Sequence, residues 1–242
     1  MSRFSYYLPV LGYHKVGDPK QTHVPTVSAA AFERQLAFLA RHRYRVLSLA
    51  EIADHVDQGR PFPRHSTAIT FDDGYEETAT VAWPLLRRYE FPAAVFVTVA
   101  EIGLAGFMSW DQVDRLAKDS MEIGCHTMHH AYLPRVNEQR LPEELVASKQ
   151  QLEARLGRRV DFISYPIGGY TPVVQDVVRQ AGYRAAFTTN RTTDRARLDR
   201  YALRRIKVTE RDANPFRMAF KLSGYYDVFR RLHDPGVTLS DK

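Results

Sequence analysis

The chain has 242 residues, 44% of them hydrophobic and 26% charged, an ordinary globular composition with enough length to bury a core without staples. Its formal net charge of +6 suits an acidic partner, but no run of like charges and no nucleic-acid recognition module occurs, so nucleic-acid binding is not expected. A single cysteine, Cys125, excludes an intramolecular disulfide, and no stretch approaches the roughly 20 apolar residues of a membrane span, so no stable membrane insertion is expected.

The opening MSRFSYYLPVLGYHKVGD has an apolar part too short and too interrupted for a signal peptide, which makes the cytoplasm the expected location. Residues 7–13 are apolar and β-prone. Residues 28–42 begin with a Ser N-cap candidate and carry Phe32, Leu36 and Leu39 at helical spacing. Ser48 caps a short helix over 49–56. Ser66–Phe71 reads as a buried strand ending in Asp72-Asp73-Gly74. A helix follows over 76–90, displaced or kinked by Pro84. The apolar run 93–99 suits a parallel strand covered on both faces. Next come a helix over Trp110–Lys118, a strand over Glu122–Cys125, a helix over 142–156 ended by Gly157, and a strand over 160–164. A helix over 173–181 and a strand over Ala185–Thr188 complete the pattern.

This repeated strand-then-helix order predicts an α/β fold with a mostly parallel sheet, either a barrel or a doubly wound sheet. Both place chemistry at the C-terminal ends of strands. No repeat or long linker divides the chain. Residues 1–225 read as one catalytic domain and 226–242 as a basic, aromatic-containing tail with no assigned function.

Three clusters follow strands. In Thr70-Phe71-Asp72-Asp73-Gly74, adjacent carboxylates are costly to bury unless paired or metal-bound. One can bind a metal while its neighbour takes a proton from water; a plain helix-capping turn is the competing reading. In Gly124-Cys125-His126-Thr127-Met128-His129-His130, His126 and His130 can converge on a helix face or a strand-to-turn segment. Two imidazoles and a carboxylate form a catalytic zinc set with an open position. In Ser164-Tyr165-Pro166-Ile167-Gly168-Gly169-Tyr170, a tight loop offers backbone N–H groups to an oxyanion, or is an ordinary strand-to-helix turn.

Taken together, these motifs resemble the polysaccharide deacetylases, the NodB homology group of carbohydrate esterase family four. TFDDG stands at 70–74, H-[ST]-x-x-H at 126–130, and a partial Pro-Gly loop at 165–170. The segments Leu11-Gly12-Tyr13-His14-Lys15-Val16 and Phe107-Met108-Ser109-Trp110-Asp111-Gln112 are similar to others in the family.

The resemblance implies a single-domain distorted (β/α) barrel of seven or so units and an acetylated glycan substrate. It implies Asp72 as general base and Asp73, His126 and His130 as ligands of a divalent metal, commonly zinc. A backbone N–H, best placed at Ile167, would face the oxyanion. Tyr165, Pro166 and Trp110 are candidates for sugar contact.

Two departures stand out. Where the family carries an Arg before the third motif's Pro, this chain has Ser164, so Arg205 or its neighbour Arg204 is expected to supply the charge. The family's Leu-x-His is missing, and after His130 only His233 remains. His14 is therefore a candidate acid, with His129 another. Alternatives are the same fold acting on an O-acetyl ester, cyclic amide or small metabolite, or a non-catalytic carbohydrate-binding relative.

Overall fold

The structure, a computed structural model, describes residues 8–19, 24–190, 199–224 and 226. Of the predicted tail only Tyr226 falls within that range; the rest, with His233, lies outside the described residues, as does Tyr7 of the predicted first strand.

In chain order the elements are β1 (Val10–Tyr13), β2 (Lys15–Val16), β3 (Thr26–Val27), α1 (Ala29–Arg41), β4 (Arg45–Val46), α2 (Leu49–Asp57), β5 (Ser66–Phe71), α3 (Trp83–Arg88), β6 (Ala94–Val97) and α4 (Trp110–Lys118). Then follow β7 (Glu122–Cys125), α5 (Ser148–Leu156), β8 (Phe162–Ser164), α6 (Pro172–Gln180), β9 (Ala185–Thr188), β10 (Leu203–Lys207) and α7 (Pro215–Leu222). Seven parallel strands run in the order β1-β10-β9-β8-β7-β6-β5, and β5 pairs back onto β1. This closure decides for the barrel and against the doubly wound sheet. β4 extends the start of β5, while β2 and β3 form a separate parallel pair.

Strand alternation sorts the side chains into two layers. Outside, Leu11, Tyr13, Ile69, Phe71, Val95 and Val97 join one apolar cluster with Phe32, Leu36 and Leu39 of α1. Inside, Phe96, Phe162, Phe187 and Leu203 pack beside Ala68, Ala94 and Ala185. Each large apolar side chain buried this way contributes about 1.5–3 kcal/mol. The small positions make room for the large ones. A Cβ on Gly124 would fall 2.4 Å from the Phe96 ring.

The N-terminal end of the barrel is stoppered by α2, whose Leu49, Ile52 and Ala53 belong to the inner cluster. Ser48 caps it with a reciprocal Glu51 contact. Glu122, opening β7, accepts the N–H groups of Leu49 at 2.6 Å and Ala50 at 2.9 Å. Polar chemistry is left to the opposite, C-terminal mouth.

Two predicted helices are interrupted. The helix expected over 76–90 is a π-turn at Thr78–Ala82 that runs on into α3, and Pro84, which has no N–H to give to the ladder, sits just after the widened turn. The helix expected over 142–156 likewise begins as a π-turn at Glu143–Ala147 before α5. The apolar run 93–99 is strand only to Val97 and then enters a 3-10 turn. Among the described residues no helix is long and apolar enough to cross a membrane.

Candidate active site

β5 delivers Asp72 and Asp73 to the mouth. Asp72 continues the inward face of Ala68 and Thr70. Asp73 adopts a left-handed φ of +71° and Gly74 a φ of +90°, so the chain turns sharply enough for both carboxylates to face the cavity. Asp72 is 3% exposed. Its Oδ1 accepts from Arg205 Nη1 at 2.7 Å and its Oδ2 from Arg205 Nη2 at 2.6 Å. Arg205 also donates to Ser164 Oγ at 2.6 Å and Thr70 Oγ1 at 3.1 Å, and lies over the Phe96 ring at 5.3 Å. Burial alone would raise the Asp72 carboxyl. The Arg205 guanidinium, helped by His126 and His14, overturns that and holds it well below the usual carboxylate range.

The position where the family carries an arginine is thus filled by Ser164, and the charge arrives from β10. Arg204, the other candidate, lines the cavity wall but makes no contact with Asp72 among the hydrogen bonds described.

β7 delivers the histidines. His126 follows the strand directly; Thr127 and His130 then take φ of +67° and +55°, curling the segment so that the imidazoles meet with centroids 5.0 Å apart. Convergence therefore comes from a strand-to-turn geometry rather than from a helix. Asp73, His126 and His130 each present a ligand atom, all within 4.8 Å of one another. Asp73 Oδ1 lies 3.5 Å from His126 Nε2 and 3.3 Å from His130 Nε2, yet is buried without a hydrogen bond of good geometry. An orphaned carboxylate oxygen facing two imidazole nitrogens fits a divalent cation. His126 Nδ1 is 2.7 Å from the Ser164 carbonyl oxygen, to which it donates in the tautomer that frees Nε2 for a ligand. Burial pushes His126 towards the neutral form that can ligate, whereas the contact with Asp73 raises His130.

β8 leads into the third loop. Tyr165 is buried, stacks on Tyr170 and donates to the Tyr201 carbonyl at 2.9 Å. Pro166 opens a 3-10 turn whose bonds run from Gly168 N–H to Tyr165 and from Gly169 N–H to Pro166. Ile167, at φ +58° and 72% exposed, lies outside that ladder and lines the cavity.

A cavity of about 520 Å³ gathers His14, Asp72, Asp73, His126, His130 and Arg205, with Tyr165 and Ile167 on its wall. Two expectations fail geometrically. Trp110 opens α4, packs against the outer apolar cluster with Arg155 over its ring, and does not line the cavity. His129 turns away: its Nδ1 is 2.9 Å from Glu144 Oε1, which removes it as a candidate acid.

Glu144 was not visible as a functional residue in the sequence. It is buried, and its Oε2 accepts the N–H groups of Met128 at 3.1 Å and His129 at 3.0 Å, pinning the turn that carries both histidines. The π-turn at Glu143–Ala147 contains it, a device often found at functional sites. Tyr75 and Glu101 were also missed. Both are raised above their ordinary pKa, by burial first and then by the charge of Asp73.

A barrel whose carboxylates and imidazoles converge at the C-terminal mouth in this way belongs to the class of hydrolytic enzymes. The sequence profile of the polysaccharide deacetylase family matches residues 59–186, and the chain belongs to that family. His14 and Arg205 lie beyond the matched span. YxkH of Bacillus subtilis (strain 168) is 27% identical over 202 residues, covering 84% of this chain and 71% of its own length. A poly-beta-1,6-N-acetyl-D-glucosamine N-deacetylase of Staphylococcus aureus (strain MRSA252) is 25% identical over 199 residues, 76% of this chain and 68% of that protein.

Among solved structures, the Streptococcus pyogenes deacetylase PplD in complex with acetate has a TM-score of 0.81 at 23% identity, covering 89% of this chain and 97% of that one; at this identity the likeness establishes fold. IcaB from Ammonifex degensii has a TM-score of 0.76 at 25% identity, covering 87% and 95%.

Proposed function

We propose that the chain is a metal-dependent deacetylase that removes N-acetyl groups from an N-acetylglucosamine-type polysaccharide or glycan precursor. The observation that carries this reading is the pairing of an orphaned Asp73–His126–His130 cluster with a buried, Arg-clamped Asp72 in one cavity. The name of the Staphylococcus aureus relative favours the N-acetyl over the O-acetyl substrate.

Asp73, His126 and His130 would hold the cation, with zinc the best match to two imidazoles and one carboxylate. When bound, the cation supplies a Lewis acid that acidifies water and polarises an acyl oxygen. Asp72 is the general base. Each of its oxygens gives one lone pair to Arg205 and retains another to accept the proton of the attacking water. Arg205 fixes the carboxylate's plane and keeps it ionised.

The Ile167 N–H, left out of the 3-10 turn, faces the developing oxyanion. Tyr165 shapes the wall against the acyl group, while Pro166, expected there too, does not line the cavity and instead sets the turn behind it. His14, directly after β1, lines the same cavity, and its buried Nδ1 has no hydrogen-bond partner. These two features support it as the group that protonates the leaving amine.

The test is acetate release from N-acetylglucosamine oligomers and from O-acetylated ones, before and after chelation and with zinc restored. Chelator-sensitive release from the N-acetyl oligomers, abolished in Asp72→Asn and sharply lowered in His14→Gln, is the expected result. Release only from O-acetyl oligomers would overturn the substrate assignment, and chelator-insensitive release the metal.

A further inference from the structure

We propose that Thr188 is a positioning residue of the same site: its buried hydroxyl holds the third loop in the left-handed turn that presents the Ile167 N–H to the oxyanion. The proposal rests on the deacetylase reading and adds to it a residue of β9.

The turn needs holding. Ile167 sits at φ +58° and ψ +5°, with Gly168 at φ +78° directly after it. The left-handed region is open to glycine but costly for a β-branched residue. Ile167 is 72% exposed, so its side chain gains little packing to offset that cost. Such a conformation persists only where its surroundings impose it. The end of β9 is laid beside the loop, because the Tyr165 N–H donates to the Phe187 carbonyl at 2.9 Å. Alternation turns Phe187 into the inner layer and Thr188 away from it, towards the loop.

Thr188 is fully buried, and its hydroxyl donates to the Gly168 carbonyl at 2.7 Å while accepting the Asn190 N–H at 2.9 Å. The Gly168 N–H donates to the Tyr165 carbonyl at 2.8 Å. Gly168 is thus fixed at both ends, and Ile167 is strung between it and Pro166. The approach is close: a Cβ on Gly168 would fall 2.8 Å from the Thr189 nitrogen and 2.9 Å from the Asn190 nitrogen. Without the hydroxyl the loop can relax towards an ordinary φ, and the Ile167 peptide turns with it. An oxyanion donor acts on the tetrahedral intermediate more than on the planar amide, so displacing it lowers kcat and spares KM.

The test uses the full chain loaded with zinc. It compares the wild type with Thr188→Val, which keeps the shape and deletes the hydroxyl, and with Thr188→Ser, which restores it. One readout is kcat and KM for acetate release from N-acetylglucosamine oligomers. The other is the calorimetric Kd of methylphosphonate, a tetrahedral anion shaped like the intermediate. Thr188→Val is expected to lower kcat by about 10- to 100-fold, less than outright loss of an oxyanion donor, with KM held within about twofold. Methylphosphonate should bind about tenfold more weakly, the size of one charged hydrogen bond. Thr188→Ser should recover both. A purely structural role would lower the melting temperature and leave kcat per bound zinc unchanged. That result, or a loss that Thr188→Ser does not repair, overturns the proposal. Should Thr188→Val fail to fold, Thr188→Cys, with its weaker thiol donor, takes its place under the same criteria.

If no oligomer releases acetate, the deacetylase reading falls and methylphosphonate binding decides alone. Affinity that drops in Thr188→Val and returns in Thr188→Ser upholds the clamp on the loop. Equal affinity in all three chains, or no binding by the wild type, overturns it.

Discussion

His126 and Ser164 are joined through the backbone: the imidazole Nδ1 sits 2.7 Å from the Ser164 carbonyl oxygen, while the hydroxyl of the same serine receives Arg205 at 2.6 Å. One residue at the end of β8 thus orients a proposed metal ligand with its main chain and the partner of the proposed base with its side chain. The two functions separate in Ser164→Ala. Loss of the hydroxyl is expected to cost about 1–3 kcal/mol in urea unfolding and to lower kcat. The metal Kd, read by competition with a chromophoric chelator, should hold within about twofold because the carbonyl survives. A tenfold loss of metal affinity would contradict this division of labour.

Arg205→Gln leaves Asp72 buried beside a neutral amide. Breaking a buried ion pair from one side costs about 3–5 kcal/mol, so the variant's melting temperature should fall by many degrees. Arg205→Lys retains charge but not the two-pronged fork. It should recover part of the stability and little of the turnover; full turnover in Arg205→Lys would show that charge alone orients the base.

Metal removal should lower stability as well as activity. Asp73, Thr127 and His130 hold left-handed backbone conformations around a buried, unpartnered carboxylate oxygen. Adding zinc at about 100 times its Kd to the chelated chain should stabilise it by about 2.7 kcal/mol, visible as a rise in melting temperature. The rise should vanish in His126→Ala.

Gly124→Ala tests the inner layer. The new Cβ would stand 2.4 Å from the Phe96 ring, on which Arg205 rests at 5.3 Å. Overpacking of this kind costs about 1–3 kcal/mol. The shift of Phe96 should also lower turnover, although Gly124 touches no ligand; a variant as stable as wild type would mean that the ring has somewhere to move.

The Asp72 carboxyl is lowered in the folded chain relative to its unfolded value of about 3.9. Its contribution to stability is therefore complete above that value. It is lost as pH falls below about 4 towards the depressed folded pKa, since the unfolded chain then binds the proton more readily. The stability gap between wild type and Asp72→Asn, measured in urea at pH 7 and at pH 3, should narrow at the lower pH. A gap that widens would place the folded pKa above the unfolded one.

Much of the candidate site was legible because the residues proposed as its ligands lie close together along the chain. Asp72 and Asp73 are adjacent, His126 and His130 are four apart, and both sets follow apolar strands, so sequence spacing already carried the geometry. The Arg205–Asp72 pair spans 133 positions, and only the order of strands around the barrel brings it together; the sequence offered Arg204 and Arg205 as equals. Strand alternation separates them by turning Arg205 inward. Glu144 was hidden because a π-turn shifts its helical register, which a regular 3.6-residue pattern does not anticipate. Trp110 was misplaced for a simpler reason: a capped helix start shows where α4 begins, not which side of the barrel it faces. The π-turns before α3 and α5, the short β2–β3 pair and α7 left no periodic signal long enough to read.

β10 is the last strand of the barrel in the chain and pairs with the first, β1. It also carries Arg205. In the proposed mechanism residues 1–190 supply the ligand set and the base, but neither the final stave nor the guanidinium that steadies Asp72. A chain clipped before β10 would keep the carboxylates and imidazoles of the mouth and lose both the closure of the barrel and the clamp on Asp72.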